Sequence, residues 1–321
     1  MLLYRGESGR VVALDDRCCH RAAPLSLGRI EGDDIRCMYH GMVFDPSGKC
    51  IQIPGQDMIP PKLGVTSYPV EERGGMVWIW MGDPAKADPA LLFDYEPLDN
   101  PRWHGLPGYI HYDANWLLIV DNLSDLAHLA FVHTHSLGGS EEYAFKTKPV
   151  SIDRLDDGFA QERWHYDADP PPYLRKVLVD KNSKVDRRNY ARMWIPGLFV
   201  LETLFAPAGQ GADKGNVVDG SWQFRNVQYM TPETRRTTHF FWNYLHDSQR
   251  DRENTSLSLK ESMWEAFHED KLLIEAQQKF LDAEPDHKLL AIGADAALSH
   301  FRWLMGKRLA EQKNARLQAV A

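Results

Sequence analysis

The chain has 321 residues, 43% of them hydrophobic and 26% charged, with four cysteines and a net charge of -8. That is room for two domains and a sizeable core, and the acidic balance speaks against a nucleic-acid partner held by its phosphates. No apolar run approaches the roughly 20 residues of a membrane span; the opening MLLYRGESGRVVALDD has no signal-peptide core, and so few cysteines argue against a disulfide scaffold and for a reducing cytoplasm.

From residue 1 to about residue 82 the sequence runs in short stretches bounded by turn residues. VVALDD, IRCMYHGMVFD, CIQIP, TSYPVEER and MVWIWMGDP read as strands, with SGK and RGG as turns, so this is an all-β module. Its loops carry two tight pairs, Cys18-x-His20 and Cys37-x2-His40. Two thiolates and two imidazoles satisfy a tetrahedral zinc site. They equally satisfy a Rieske [2Fe–2S] centre, with the thiolates on one iron and the imidazoles on the other. The spacing favours the second, because a zinc finger more often places C-x2-C before H-x3-H. Cys19 is expected to be a small packed side chain of its loop, and Cys50 a strand residue.

GDPAKADPALL, residues 82–92, reads as a linker. Beyond it comes a short helix-like stretch, LIVDNLSDLAHLAFVH, then strand-like segments to about residue 245. A long amphipathic helix follows, TSLSLKESMWEAFHEDKLLIEAQQKFLD, and then a helical tail, ALSHFRWLMGKRLAEQKNARLQ. His128 and His133 are five apart, so on one helix they diverge by roughly 140°. They can meet one metal only if the helix breaks, for which SLGGS (136–140) is the expected place. Two imidazoles and one carboxylate bind iron with positions left open. Asp125 is one candidate carboxylate. Asp270 is the better one: Met263, Phe267, Asp270 and Ile274 share a helix face, so Asp270 points where the apolar residues point. A carboxylate buried there needs a cation, either a metal or a buried Arg. Glu265 and Glu269 lie off the stripe and are expected in solvent.

Taken together, Cys18-x-His20, Cys37-x2-His40, Asn122-x2-Asp125-x2-His128-x4-His133 and Asp270 in FHEDKLLIEAQQ resemble the oxygenase subunits of Rieske non-heme iron oxygenases. IPGQDMIPP, PVEERGGMVWIWMGDP and IVDNLSDLAHLAFVH look most like the vanillate O-demethylase, dicamba monooxygenase and toluenesulfonate methyl-monooxygenase branch. The resemblance implies an α+β chain with two domains. The first, residues 1–92, is an all-β Rieske [2Fe–2S] domain without its usual first strands. The second, residues 93–321, is a helix-grip catalytic domain with a twisted antiparallel sheet and C-terminal helices. It implies Cys18, His20, Cys37 and His40 as cluster ligands, and His128, His133 and Asp270 as ligands of a mononuclear Fe(II). Asn122 and Asp125 would support catalysis, with Asp125 bridging His40 of one chain to His128 of the next in a homotrimer. A flavin and iron–sulfur reductase, with or without a ferredoxin, would deliver electrons from NAD(P)H.

The same resemblance implies that O₂ is used to hydroxylate a methyl or methoxy group of a substituted aromatic acid. The alternatives are cis-dihydroxylation of the ring and, from another class, a non-catalytic electron carrier or a zinc-bound structural protein. Asn189 and Gln228 lie in segments that resemble those carrying polar substrate contacts. Arg188, Arg192 and Arg225 are candidates for an acid group, since Arg grips carboxylate or sulfonate bidentately. Trp194, Trp222 and Trp264 are expected in the core.

Overall fold

The computed structural model describes residues 1–138, 140–146, 149–176, 183–247 and 252–320, and the chain divides into two compact units, Met1–Asp99 and Asn100–Ala321. In the first unit β1 (Leu2–Arg5) pairs with β2 (Val11–Leu14). A four-stranded sheet follows, of β3 (Arg29–Glu31), β4 (Asp34–Arg36), β5 (Val43–Phe44) and β6 (Cys50–Gln52). β7 (Ser67–Tyr68) joins β2, and β8 (Val70–Arg73) with β9 (Met76–Ile79) forms a hairpin. The core gathers Leu14, Leu25, Ile35 and Phe44 around the buried Cys18, Cys37 and Cys50. IRCMYHGMVFD is not one strand. It divides into β4 and β5, because residues 37–42 close a loop on their own backbone. β1 and β3 lie outside the stretches expected as strands.

The second unit is built on one antiparallel sheet. Its strands are β10 (His104–Tyr112), β11 (Pro149–Leu155), β12 (Gly158–Ala168), β13 (Val185–Trp194), β14 (Leu198–Pro207), β15 (Trp222–Pro232) and β16 (Thr238–His246), in the order β10-β16-β15-β14-β13-β12-β11. The helices are α1 (Trp116–Ser124), the short α2 (Glu142–Lys146) and α3 (Pro172–Arg175), then α4 (Arg252–Ala283) and α5 (Ala296–Val320). Antiparallel strands point alternate side chains to opposite faces. Along β13, Arg187, Asn189, Ala191 and Met193 are buried, while Arg188, Tyr190, Arg192 and Trp194 between them are only partly so.

The inner face is the one that meets α1 and α4. Phe267 of α4 lies edge-on to Phe240 at 4.9 Å between ring centroids and reaches Trp242 at 5.5 Å. Leu259, Met263, Phe267 and Ile274 are all buried along α4, each worth roughly 1.5–3 kcal/mol in removed apolar surface. Trp264 departs from expectation: it is 52% exposed and stacks on His268 instead of entering the core.

Two caps shape the segment after β10. The Asn115 side chain accepts from Leu117 N at 2.9 Å and starts α1. α1 stops at Ser124 because Asp125 is extended (φ −119, ψ 101), and Asp125 then caps a 3-10 turn, Leu126–Ala130, by accepting from Ala127 N at 2.9 Å. The helix therefore breaks at Asp125 and again after Ala130, ahead of the SLGGS stretch expected to break it. No helix among the described residues is long and apolar enough to cross a membrane.

Candidate metal centres

The two Cys/His loops share one hydrogen-bond scheme. Cys18 N donates to Ala23 O at 2.8 Å and Ala22 N to Cys18 O at 2.9 Å; Cys37 N donates to Met42 O at 2.8 Å and Gly41 N to Cys37 O at 2.9 Å. Each loop closes through a left-handed residue, Ala22 at φ 56 and Gly41 at φ 76. Both thiols are buried, while His20 and His40 are exposed with ring centroids 4.6 Å apart. Sulfur thus faces inward and nitrogen outward, which fits a cluster with thiolates on one iron and imidazoles on the other better than a lone tetrahedral ion. Burial pushes the Cys18 thiol up to about 11, so this thiol keeps its proton until a cation displaces it. Cys19 is exposed on its loop and is not packed as expected; Cys50 is buried in β6.

In the second unit, one donor atom each from His128, His133 and Asp270 lie within 4.8 Å of one another. His128 Nδ1 donates to the main-chain oxygen of Asp125 at 2.6 Å, which leaves Nε2 free to face Asp270 at 3.7 Å. His133 Nδ1 donates to Glu269 at 2.7 Å, and its Nε2 lies 3.2 Å from Asp270. Asn122 Nδ2 donates to Asp270 Oδ1 at 2.9 Å. Burial raises the Asp270 carboxyl, but His133, His128 and Asn122 outweigh it and hold Asp270 below the usual carboxylate range. Burial lowers His128, leaving it a neutral donor. Two neutral-capable nitrogens and one carboxylate, each imidazole oriented by a bond from its other nitrogen, fit a divalent iron with open positions.

Two features of this site depart from the sequence reading. Glu269 is not a free solvent-facing acid: half-buried, it accepts from both His133 and the Ser136 hydroxyl, the latter at 2.6 Å. It sits off the apolar stripe of α4, so hydrophobic periodicity could not find it. Asp125 orients His128 through its main-chain oxygen, not its carboxylate. The carboxylate instead caps Ala127 and meets Arg163 at 3.3 Å.

The proposed substrate contacts divide by face. Asn189 and Gln228 are buried on the inner face. The Asn189 amide is already engaged: it donates to Tyr143 OH at 2.7 Å, and its oxygen accepts from Thr203 at 3.2 Å. Gln228 Oε1 has no protein partner. Arg192 is a correction. Strand alternation turns it to the outer face, where it pairs with Asp157 at 2.5 Å and stacks on Trp194. Arg188 and Arg225 point outward too, beside Glu162 and Glu202.

Residues 1–69 match the Rieske [2Fe-2S] domain family, and residues 112–311 match the Vanillate O-demethylase oxygenase C-terminal domain family. The chain is 45% identical to the toluene-4-sulfonate monooxygenase system iron-sulfur subunit of Comamonas testosteroni, over 96% of this chain and 89% of that protein. It is 32% identical to the vanillate O-demethylase oxygenase subunit of a Pseudomonas strain, over 100% of this chain and 97% of that one. It is also similar to the crystal structure of dicamba monooxygenase with non-heme iron and dicamba, at a TM-score of 0.76 and 29% identity, covering 98% of this chain and 90% of that chain.

Proposed function

The chain belongs to the Rieske oxygenase subunits with a vanillate O-demethylase-type C-terminal domain, and from that we propose that it is the terminal oxygenase of a multicomponent monooxygenase. It hydroxylates a methyl or methoxy carbon of a substituted aromatic acid, with electrons from a separate reductase. The observation that carries this reading is the buried meeting of His128, His133 and Asp270 beside a polar inner sheet face, in a chain that also carries the Cys18–His20 and Cys37–His40 loops. An electron carrier has no use for the first, and a zinc scaffold no use for either oriented imidazole.

The domains follow the same division of labour: the N-terminal domain handles electrons and the C-terminal domain the carbon. Cys18, His20, Cys37 and His40 would hold the cluster; His128, His133 and Asp270 would hold the iron. Bound there, the cluster supplies single electrons and the iron supplies the place where O₂ is reduced. Asn122 fixes the Asp270 carboxylate, while Asp125 O and Glu269 fix the two imidazoles. Phe240, Trp242 and Phe267 are buried together in the core on the same side of the sheet, an apolar surface that would keep water from the carbon to be oxidised. The balance is one C–H bond, one O₂, two electrons and two protons giving one C–OH and one water. On a methoxy group the product is a hemiacetal that collapses to a phenol and formaldehyde; on an aryl methyl group it is the benzylic alcohol.

A homotrimer accounts for the Asp125 carboxylate, which has no bond to His128 of its own chain. It would accept from His40 of a neighbouring subunit and couple one subunit's cluster to the next subunit's iron. The test is a panel of methylated and methoxylated aromatic acids, given a surrogate reductase, NADH and O₂, with formaldehyde and hydroxylated products scored. Benzylic alcohol or formaldehyde supports the reading, a cis-diol replaces it with ring dihydroxylation, and a colourless zinc-bearing protein removes it.

A further inference from the structure

Arg187 carries a buried charge that neither metal centre uses. It is 5% exposed on the inner face of β13, stacked over Tyr143 at 4.9 Å and Phe205 at 5.3 Å. Its hydrogen bonds are long and go to neutral oxygens, Asn189 Oδ1 at 3.3 Å and Gly138 O at 3.4 Å. Among the described residues no carboxylate lies within ion-pair distance of it, whereas Arg163, Arg188, Arg192 and Arg225 each have one. A guanidinium does not give up its proton, and a buried charge without a counter-charge is strongly unfavourable.

The surroundings are arranged for a visitor. Arg187 borders a cavity with Gly138, Tyr143, His165, Lys184 and Phe205. Three acids line the same cavity: Glu142 is engaged with Lys146 at 2.9 Å and Asp169 with Lys184 at 2.8 Å, while Asp167 forms no ion pair among the described residues. Asn189 braces the guanidinium from one side while its own amide is held by Tyr143 and Thr203. Farther along the inner face, Asn226 Oδ1, Gln228 Oε1 and Trp242 Nε1 are buried without a protein partner. A planar fork clamped between two rings is preorganised for two oxygens of one acid group.

We infer that Arg187 receives the sulfonate or carboxylate of the aromatic substrate and so makes the oxygenase select anionic over neutral arenes. This rests on the function proposed above and names the residue that sets its substrate class. Outward-facing Arg188, Arg192 and Arg225 have no part in it.

The test is anaerobic titration of the iron-loaded enzyme, followed by tryptophan fluorescence or calorimetry. The ligands are toluene-4-sulfonate, 4-methylbenzoate and the neutral 4-tolyl methyl sulfone. The wild type binds the two anions at least about 10-fold more tightly than the sulfone, and Arg187→Gln weakens the anions by about 10- to 100-fold while moving the sulfone less than about 3-fold. Arg187→Lys recovers part of the anion affinity. Sulfone binding to the wild type as tightly as toluene-4-sulfonate overturns the inference without any variant, so a misfolded Arg187→Gln protein does not shelter it. Undiminished anion affinity in a folded Arg187→Gln protein overturns it as well. Reductase-driven hydroxylation of neutral methylarenes with no preference for acids sinks the Arg187 role and leaves monooxygenation standing. Absence of turnover and of binding with every ligand removes both.

Discussion

Glu269 and His133 are joined by a 2.7 Å hydrogen bond at Nδ1, while Asp270, the next residue of α4, approaches Nε2 of the same ring at 3.2 Å. Consecutive side chains of one helix thus hold both nitrogens of one imidazole. Burial opposes a charge on His133, but Asp270 and Glu269 outweigh it and raise the ring above its ordinary value. Glu269→Gln keeps a hydrogen-bonding atom in place and removes the charge. Metal affinity is expected to fall by about 10- to 100-fold, read as the iron left after timed chelator challenge, with the cluster's visible bands unchanged. Equal iron retention by variant and wild type would make Glu269 a bystander.

His128→Ala or Asp270→Ala is expected to abolish turnover and leave the cluster spectrum intact. Both side chains belong to the second unit, and the Cys18 and Cys37 loops to the first. Iron and sulfide analysis beside the visible spectrum checks this. Loss of the cluster bands from a folded His128→Ala protein would contradict the division into two centres.

Asp125→Asn separates charge from shape. The main-chain oxygen that orients His128 is untouched, and Asn caps a helical turn as well as Asp does. Both metals are expected to stay bound while turnover drops by orders of magnitude, because the bridge proposed above would lose the carboxylate that accepts from the neighbouring subunit's imidazole. A single-turnover experiment with the cluster reduced beforehand decides it. Cluster oxidation at the wild-type rate on adding substrate and O₂ would retire the bridge.

Ala22 occupies a left-handed conformation at φ 56 where the sister loop has Gly41. A side chain there costs about 1–2 kcal/mol. Ala22→Gly is therefore expected to raise the stability of the first unit by about 1 kcal/mol with the cluster retained, seen as a higher midpoint in denaturant followed by loss of the visible bands. A lowered midpoint would mean that the Ala22 methyl packs usefully.

His246 is fully buried, and burial, helped by the charge of nearby His104, depresses it to about 4. The unfolded chain takes up this proton near pH 6.5 and the folded chain only near 4, so acid favours unfolding across that window. Stability is expected to fall by about 3 kcal/mol between these limits from this group. His246→Gln should flatten that part of a stability–pH curve. An unchanged slope would place the acid sensitivity elsewhere.

The candidate metal ligands stood out in the sequence because paired Cys and His at such short spacing, and a family resemblance, pointed to a metal, and Asp270 because it interrupts an apolar stripe. What the sequence hid was geometry that depends on a partner. IRCMYHGMVFD reads as a continuous strand until the loop at residues 37–42 bonds to itself. Arg187 and Arg188 are adjacent and chemically identical, and only the register with β12 and β14 says which one faces inward. Glu269 was hidden for a similar reason: a polar residue on the flank of a helix looks solvated until its partner, 136 residues away, is known.

The strand order has a consequence for how the molecule comes into being. β10, first of its sheet, pairs only with β16, the last, and the bond from Asn122 to Asp270 spans 148 residues. Contacts so distant along the chain form slowly and together. The segment bearing His128 and His133 is synthesised early, yet its third companion waits on a helix made after every strand. A chain that stops short of Asp270 therefore holds no complete triad, and the capacity for oxygen chemistry waits for the helix that follows the last strand.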